Sequence, residues 1–209
     1  MLIVALTGGI ATGKTVVAEV FKSLGCYIEE SDQIAHSLMA ADKPAWKKIV
    51  AYFGQKILKE DRSIDREKLG GIVFSDKKKL EFLNRTVHPL VLKQRKNTIN
   101  RLKKTRSQKI YISEAALTIE AGFTAFYDKI VLVWCRKNVQ IDRLMKRDGI
   151  DRIQALSKIN SQMPSQQKKK YADYIIDSSG SIGETIEQAE RIFRNLMWDY
   201  SVKLEKPSA

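Results

Sequence analysis

The sequence predicts an α/β fold: a doubly wound, five-stranded parallel sheet interrupted by a helical insertion and a lid. Three observations carry this. Five short apolar runs, Leu2–Leu6, Cys26–Glu29, Ile110–Ser113, Ile130–Cys135 and Tyr174–Ile176, are rich in Ile, Val and Tyr with little alternation, as strands covered on both faces require. Helical patterns separate them, which is the signature of a parallel sheet. A glycine-rich loop follows the first run directly and leads into an amphipathic segment.

Each element has its own signal. After the loop, Val17, Val20, Phe21 and Leu24 fall on one helical face and Gly25 supplies the stop. Between the second and third runs, positions 37–109 read helical and are too long for a crossover, so they form an insertion. Pro44 opens a helix carrying Ile49, Val50 and Phe53, and Gly54 ends it. Asp65 and Ser75 are candidate N-caps for two more helices. Leu80 and Leu83 continue the apolar face until His88-Pro89, where a break is expected. A polar, basic stretch from Arg136 to Lys170 follows the fourth run. Ser181 and Glu184 form a capping box, and Ile182, Ile186, Ala189, Phe193 and Leu196 mark the buried stripe of a last helix. The closing LEKPSA reads as a frayed end.

The loop Gly8-Gly9-Ile10-Ala11-Thr12-Gly13-Lys14-Thr15 fits G-x-x-x-x-G-K-[ST]. Its glycines let backbone N–H groups close around phosphate oxygens, and the following helix N-terminus adds positive potential. Gly8, Gly9, Ala11, Thr12, Gly13, Lys14, Thr15 and Val16 are therefore the expected nucleotide cradle. Lys14 would reach the β- and γ-phosphates, and the Thr15 hydroxyl would ligate Mg²⁺. ATP and Mg²⁺ are the expected cofactors.

Composition narrows the class. The chain has 209 residues, 44% hydrophobic and 29% charged, which suits one domain with a real core. No apolar run approaches a membrane span, and MLIVALTGG is too short for a signal peptide, so the expected location is cytoplasmic. Two cysteines, Cys26 and Cys135, in apolar runs read as buried free thiols. With only two histidines besides, a zinc cluster is not expected. The formal charge of +13 attracts anions without saying which. Positions 85–113 hold many Lys and Arg and no acid, but almost no aromatic ring for base stacking. This reads as a solvated face that assists an anionic substrate, and no nucleic-acid partner is expected.

The phosphate acceptor is the open question. There is no N-K-x-D for guanine, and Asp177-Ser178-Ser179-Gly180, which fits D-x-x-G, follows the last strand. Glu114 is the only candidate for a Walker B acid, in a poor pattern. A short P-loop chain with a helical insertion and a basic lid suggests a small-molecule kinase; an ATP-dependent nucleic-acid-binding module rests on charge alone. Asp32 lies just past the end of the second run, which the pattern places beside the P-loop strand at the sheet's ligand-binding edge. A carboxylate there can take a proton from an acceptor hydroxyl, or it can simply cap the helix that follows. His88 has two readings, a helix-terminus hydrogen-bonder and a substrate contact. Gln140, Arg143 and Arg147 share one helical face, either a solvated basic face or arginines that stabilise a moving phosphoryl group.

Taken in order, VALTGGIATGKT, EESDQIAH, IDREKLGGIVF, LNRTVHPLV, RLMKRDG and ADYIIDSSG resemble the dephospho-CoA kinase family over about Leu2 to Ala189. The resemblance implies a P-loop kinase-type core (about 1–33, 107–135 and 171–209), a helical substrate subdomain (about 34–106) and a lid (about 136–170). It implies transfer of the ATP γ-phosphoryl group to the ribose 3′-hydroxyl of dephospho-CoA. It also implies Asp32 as base, with Glu30 in place of the family's first acid. His88 and Glu120 become substrate-binding, and Arg143 and Arg147 join Lys14 as catalytic. Ala11 replaces a family glycine, and Ala116 replaces a proline ahead of Leu117 and Glu120. Oligomeric state is not readable.

Overall fold

A computed structural model describes residues 1–205, apart from the side chain of Phe74. The elements run β1 (Leu2–Thr7), α1 (Lys14–Ser23), β2 (Tyr27–Glu30), α2 (Ser31–Leu38), α3 (Pro44–Phe53), α4 (Arg66–Phe74), α5 (Lys77–Thr105), β3 (Ile110–Glu114), β4 (Lys129–Trp134), α6 (Lys137–Asp148), α7 (Arg152–Asn160), α8 (Ser165–Lys168), β5 (Tyr174–Asp177) and α9 (Ile182–Glu205). Leu204 and Glu205 belong to α9, and the rest of the LEKPSA end lies outside the described residues.

The chain divides into two compact units, residues 1–30 with 105–209 and residues 31–104. The first is built on a five-stranded all-parallel sheet of order β2-β3-β1-β4-β5. β1 is central, and Val4, Ala5 and Leu6 are fully buried, which is why its sequence is apolar on both faces. Val17, Ala18 and Phe21 of α1 join Ala189, Ile192 and Leu196 of α9 in the same core. From β1 the chain crosses to β2 on one side, and from β3 it crosses over β1 to β4 on the other. The loop after β1 therefore sits at the topological switch point.

Strand order corrects one expectation. β2 is the edge strand and pairs only with β3, so the chain entering Asp32 does not run beside the P-loop strand. The register puts Glu114, at the end of β3, opposite Leu6 of β1 on one side and Glu30 of β2 on the other. Sequential strands neighbour each other only some of the time, and nothing in a run of apolar residues reveals an interposed strand. Two apolar positions also face outward: Leu24 is 37% exposed and Ile182 is 65% exposed. The buried residues of α9 are Thr185, Ala189, Ile192 and Leu196, so Ala189 and Leu196 of the predicted stripe are buried, while Phe193 packs against the core partly buried. Its capping box does form, Ser181 N–H donating to Glu184 and Glu184 N–H to Ser181 Oγ.

The second unit is helical, with a core of Ala45, Ile49, Phe53, Ile57, Leu69, Val73 and Val87. Asp65 caps α4, accepting from the amides of Glu67 and Lys68. Ser75 does not cap α5. Its hydroxyl donates back to Gly71 and Ile72, and Asp76 accepts from Lys78 and Lys79 instead. Pro89 does not end the helix either: α5 continues through it. The proline forfeits one backbone hydrogen bond. Val87 before it and Leu90 and Val91 after it all pack into the same core, so tertiary burial offsets that loss.

Both cysteines are buried free thiols, and burial pushes Cys26 up to about 12. No helix among the described residues is long and apolar enough to cross a membrane, and they hold no group of three or more metal-ligating His, Cys, Asp or Glu side chains.

Candidate active site

The loop between β1 and α1 is a cradle with no room for side chains at its base. A Cβ at Gly8 would overlap the carbonyl oxygen of Val133. Gly13, the N-cap of α1, has φ 82°, a conformation that favours glycine. α1 opens at Lys14 with no side-chain cap, leaving its first amides for a ligand. Lys14 Nζ donates to the carbonyls of Gly8 (3.2 Å) and Gly9 (3.0 Å), so the ammonium lies across the loop mouth. Thr15, one residue on, is exposed.

Other elements hold the loop's backbone from outside. Gln140 Nε2 donates to Ile10 O (2.7 Å), and Gln162 Oε1 accepts from Ile10 N–H (2.8 Å). Ser178 Oγ donates to Thr12 O (2.8 Å), while Thr12 Oγ1 donates to Gly9 O (2.9 Å). Ala11 has φ 57°, an unusual conformation for a residue with a Cβ. Its methyl group, with Ile10, packs on Ile141, Leu144 and Ala155 of α6 and α7, which offsets the strain.

A cleft of about 350 Å³ opens beside this loop. Ala11, Thr12, Gly13, Lys14, Thr15 and Val16 form one wall, and Arg143, Arg147 and Ser178 line the other. The three residues expected to share a basic face separate here. Gln140 is 5% exposed and serves the loop. Arg143 donates to Ser178 Oγ (3.1 Å) and Ser178 O (2.8 Å), backing the residue that holds Thr12. Arg147 is exposed and makes a two-pronged bond to Asp148, with Nε to Oδ1 at 2.7 Å. Hydrogen bonds from Arg147 and then Lys158 hold the Asp148 carboxyl at about 2.

Glu120 has protein partners. Its carboxylate pairs with Lys168 Nζ (2.7 Å) and accepts from Met163 N–H (3.2 Å). Lys168 is fully buried and also donates to Ala116 O (2.8 Å). A buried ammonium needs this full set of acceptors. The pair ties α8 to the loop after β3.

In the helical unit, Asp32 stands in the first turn of α2, which begins at Ser31. Among the described residues its exposed carboxylate has no hydrogen bond or ion pair, so it caps nothing. Ser31 Oγ accepts from the buried Arg95 (2.7 Å). His88 is half-buried in α5, and burial pushes its imidazole below the ordinary range.

Sequence reasoning missed Gln162, Lys168 and Ser178. Ser178 lay in the quoted ADYIIDSSG, but no local pattern marks a residue whose partner is 166 positions away. The two others sit in a polar stretch without periodicity.

The burial of His88 has a measurable consequence. The unfolded chain binds more protons than the folded one below the ordinary value of 6.5, so stability should fall as pH drops through that value. His88→Asn should flatten the dependence of melting temperature on pH below 6.5. An unchanged slope would locate the titration elsewhere.

The chain has known relatives. A family model described as dephospho-CoA kinase matches residues 2–184. The dephospho-CoA kinase of Carboxydothermus hydrogenoformans is 42% identical over 202 residues, covering 96% of this chain and 98% of its own. That of Syntrophus aciditrophicus is 40% identical over 197 residues, covering 94% and 84%. Among solved structures, a Thermus thermophilus protein matches with TM-score 0.80 at 27% identity, covering 93% of this chain and 96% of its own. The Campylobacter jejuni dephospho-CoA kinase matches with TM-score 0.67, the same identity and the same coverage. A shikimate kinase from Acinetobacter baumannii (TM-score 0.51, 16% identity, covering 95% and 94%) shares the fold alone. A P-loop cradle at the switch point, a cleft walled by arginines and a family match over most of the chain agree: the chain belongs to the dephospho-CoA kinase family.

Proposed function

We propose the following division of labour for the transfer of the ATP γ-phosphoryl group to the ribose 3′-hydroxyl of dephospho-CoA. The loop amides and the N-terminus of α1 bind the triphosphate. Lys14 exchanges the carbonyls of Gly8 and Gly9 for phosphate oxygens and follows the charge that shifts during transfer. Arg147 stabilises the same charge from the opposite wall. Arg143 acts through Ser178 and Thr12, holding the loop in register. Asp32 accepts the proton of the acceptor hydroxyl as the new P–O bond forms. The observation that carries this reading is the cleft lined by both the lysine loop and the arginines of α6.

Mg²⁺ fits the donor set. Thr15 offers a hard hydroxyl oxygen at the cleft, and Mg²⁺ takes most of its six ligands from phosphate and water rather than from a protein cage. Bound there, the ion would neutralise charge on the β- and γ-phosphates. His88 and Glu120 stand differently. His88 remains a substrate contact in this reading. Glu120, already engaged with Lys168 and Met163, contributes through the shape of the loop it anchors.

The test is which compound stimulates ADP release from Mg-ATP. Dephospho-CoA should do so, with CoA as co-product. Stimulation by another small hydroxyl compound or by RNA, and none by dephospho-CoA, would overturn the reading.

The role of Arg147 is separable from folding. It is exposed, and among the described residues its one ion pair is to the partly exposed Asp148, so Arg147→Ala should change stability by about 0.5 kcal/mol or less. Turnover should nevertheless fall at least tenfold, in the range of about 10- to 1,000-fold for a lost charge donor. Full turnover in a normally melting variant would return Arg147 to a solvated surface.

A further inference from the structure

Lys168, Lys169 and Lys170 are three lysines in a row with three different surroundings. Lys170 is exposed, Lys169 Nζ lies 3.4 Å from the centre of the Trp134 ring, and Lys168 is fully buried. Taking an ammonium out of water is costly, and an apolar side chain of the same size would fill the space without that cost. The burial of Lys168 therefore calls for a reason other than packing. We infer that Lys168 is a positioning residue for phosphoryl transfer: it closes a ring of bonds that holds Gln162 on the P-loop peptide at Ile10. This rests on the reading of that loop as the triphosphate cradle.

The ring can be followed atom by atom, and all of it lies in the first unit. Gln162 Oε1 accepts from Ile10 N–H at 2.8 Å. The next residue, Met163, donates its N–H to Glu120 Oε1 at 3.2 Å. The same carboxylate oxygen pairs with Lys168 Nζ at 2.7 Å. Lys168 Nζ also donates to Ala116 O at 2.8 Å, and the hydroxyl of the buried Thr7 donates to that carbonyl at 3.3 Å. Beside it, Ala115 N–H donates to Leu6 O at 3.1 Å. Leu6 and Thr7 end β1, and the chain then runs through Gly8 and Gly9 back to Ile10.

Two features make this ring bear on the chemistry. Ile10 precedes Ala11, whose φ of 57° is unusual for a residue with a Cβ, so the peptide before it must be held for the loop to keep its shape. Gln162 holds the N–H of Ile10 and Gln140 holds its carbonyl. The second feature is the route by which Gln162 is itself held. It lies with Met163 in the short connection between α7 and α8, and Glu120 anchors that connection while Lys168 anchors Glu120. Without the ammonium, the Glu120 side chain, 21% exposed, can turn to water and release Met163. Gln162 then loses its registration on Ile10. A misplacement of about 1 Å, arising away from the reacting atoms, can cost roughly 10²-fold in rate.

Lys168→Met tests the inference, because methionine fills the space without a charge. Turnover should fall about 10- to 100-fold while the melting temperature changes little. Hydrogen-exchange protection of the Ile10 amide, measured by NMR without substrate, should fall about tenfold or more. Gln162→Leu, at the other end of the ring, should lower turnover by a similar factor. Among the described residues Lys168 and Gln162 are linked through Glu120 and Met163 rather than by a bond to each other, yet the double variant should be within about twofold of the slower single variant. Lys170→Met should turn over like the wild type. If Lys168→Met melts too low to assay, Lys168→Met/Glu120→Leu, which leaves no unpaired charge, is measured in its place with the same expectations. Wild-type turnover, or an unchanged Ile10 amide, in a folded variant lacking the ammonium would overturn the inference. So would losses that multiply in the double variant, or an equal loss in Lys170→Met. Failure of the wild-type protein to phosphorylate dephospho-CoA would instead overturn the substrate reading alone, since the amide measurement needs no substrate.

Discussion

Asp32→Asn should lower turnover with dephospho-CoA by roughly 10²- to 10⁴-fold, the usual cost of losing a general base. The substitution keeps size and shape and removes only charge and basicity. Phosphoryl transfer has a loose transition state, so positioning and charge stabilisation dominate, but the acceptor proton must still leave by the end of the step. The structure makes the test clean. α2 starts at Ser31, and among the described residues no donor is bonded to the Asp32 carboxylate. An exposed group in the first turn owes the helix only a modest dipole interaction, so melting should shift little. ATP affinity should also hold. Retained activity in the folded variant would remove Asp32 as the base and leave positioning as the explanation of catalysis.

Lys14→Ala should have an effect of similar size, roughly 10²- to 10³-fold by comparison with other single donors to a developing charge. The loop should survive the change. Its shape depends on Gln140 and Gln162 at Ile10, on Ser178 at Thr12 and on the Thr12–Gly9 bond, none of which involves the lysine. The two carbonyls that Lys14 bonds lie at the loop mouth, where water can replace the ammonium. Single-turnover kinetics at saturating ATP would separate the chemical step from binding. Near-wild-type turnover would mean that the loop amides alone carry the transferring charge.

The relation of these two residues shows how reading a chain differs from folding it. Lys14 is legible because the P-loop is local: strand, loop and helix follow within about twenty residues, and each needs only its own neighbours. Asp32 is legible as a residue but not in its setting. Its strand lies at the sheet edge with β3 between it and β1, and Glu114 takes the place beside the P-loop strand. The pairing of Leu2–Leu6 with Ile110–Glu114 spans more than a hundred positions, and the intervening apolar runs look alike.

By itself, then, the sequence determined the parallel α/β class, the five strands, the phosphate cradle, the capping boundaries at Asp65 and Ser181, and the helical character of the insertion. All of these rest on periodicity, glycine and capping chemistry within one or two turns of chain. Tertiary structure alone decided the strand order, the continuation of α5 through Pro89 and the fates of Gln140, Arg143 and Glu120. The reason is the same in each case. Burial of Val87, Leu90 and Val91 in one core outweighs the hydrogen bond lost at Pro89. Gln140 and Lys168 leave solvent because Ile10 and Glu120, brought from 130 and 48 positions away, complete their hydrogen bonding. Such partners are set by packing over long separations, and no local pattern of residues records them.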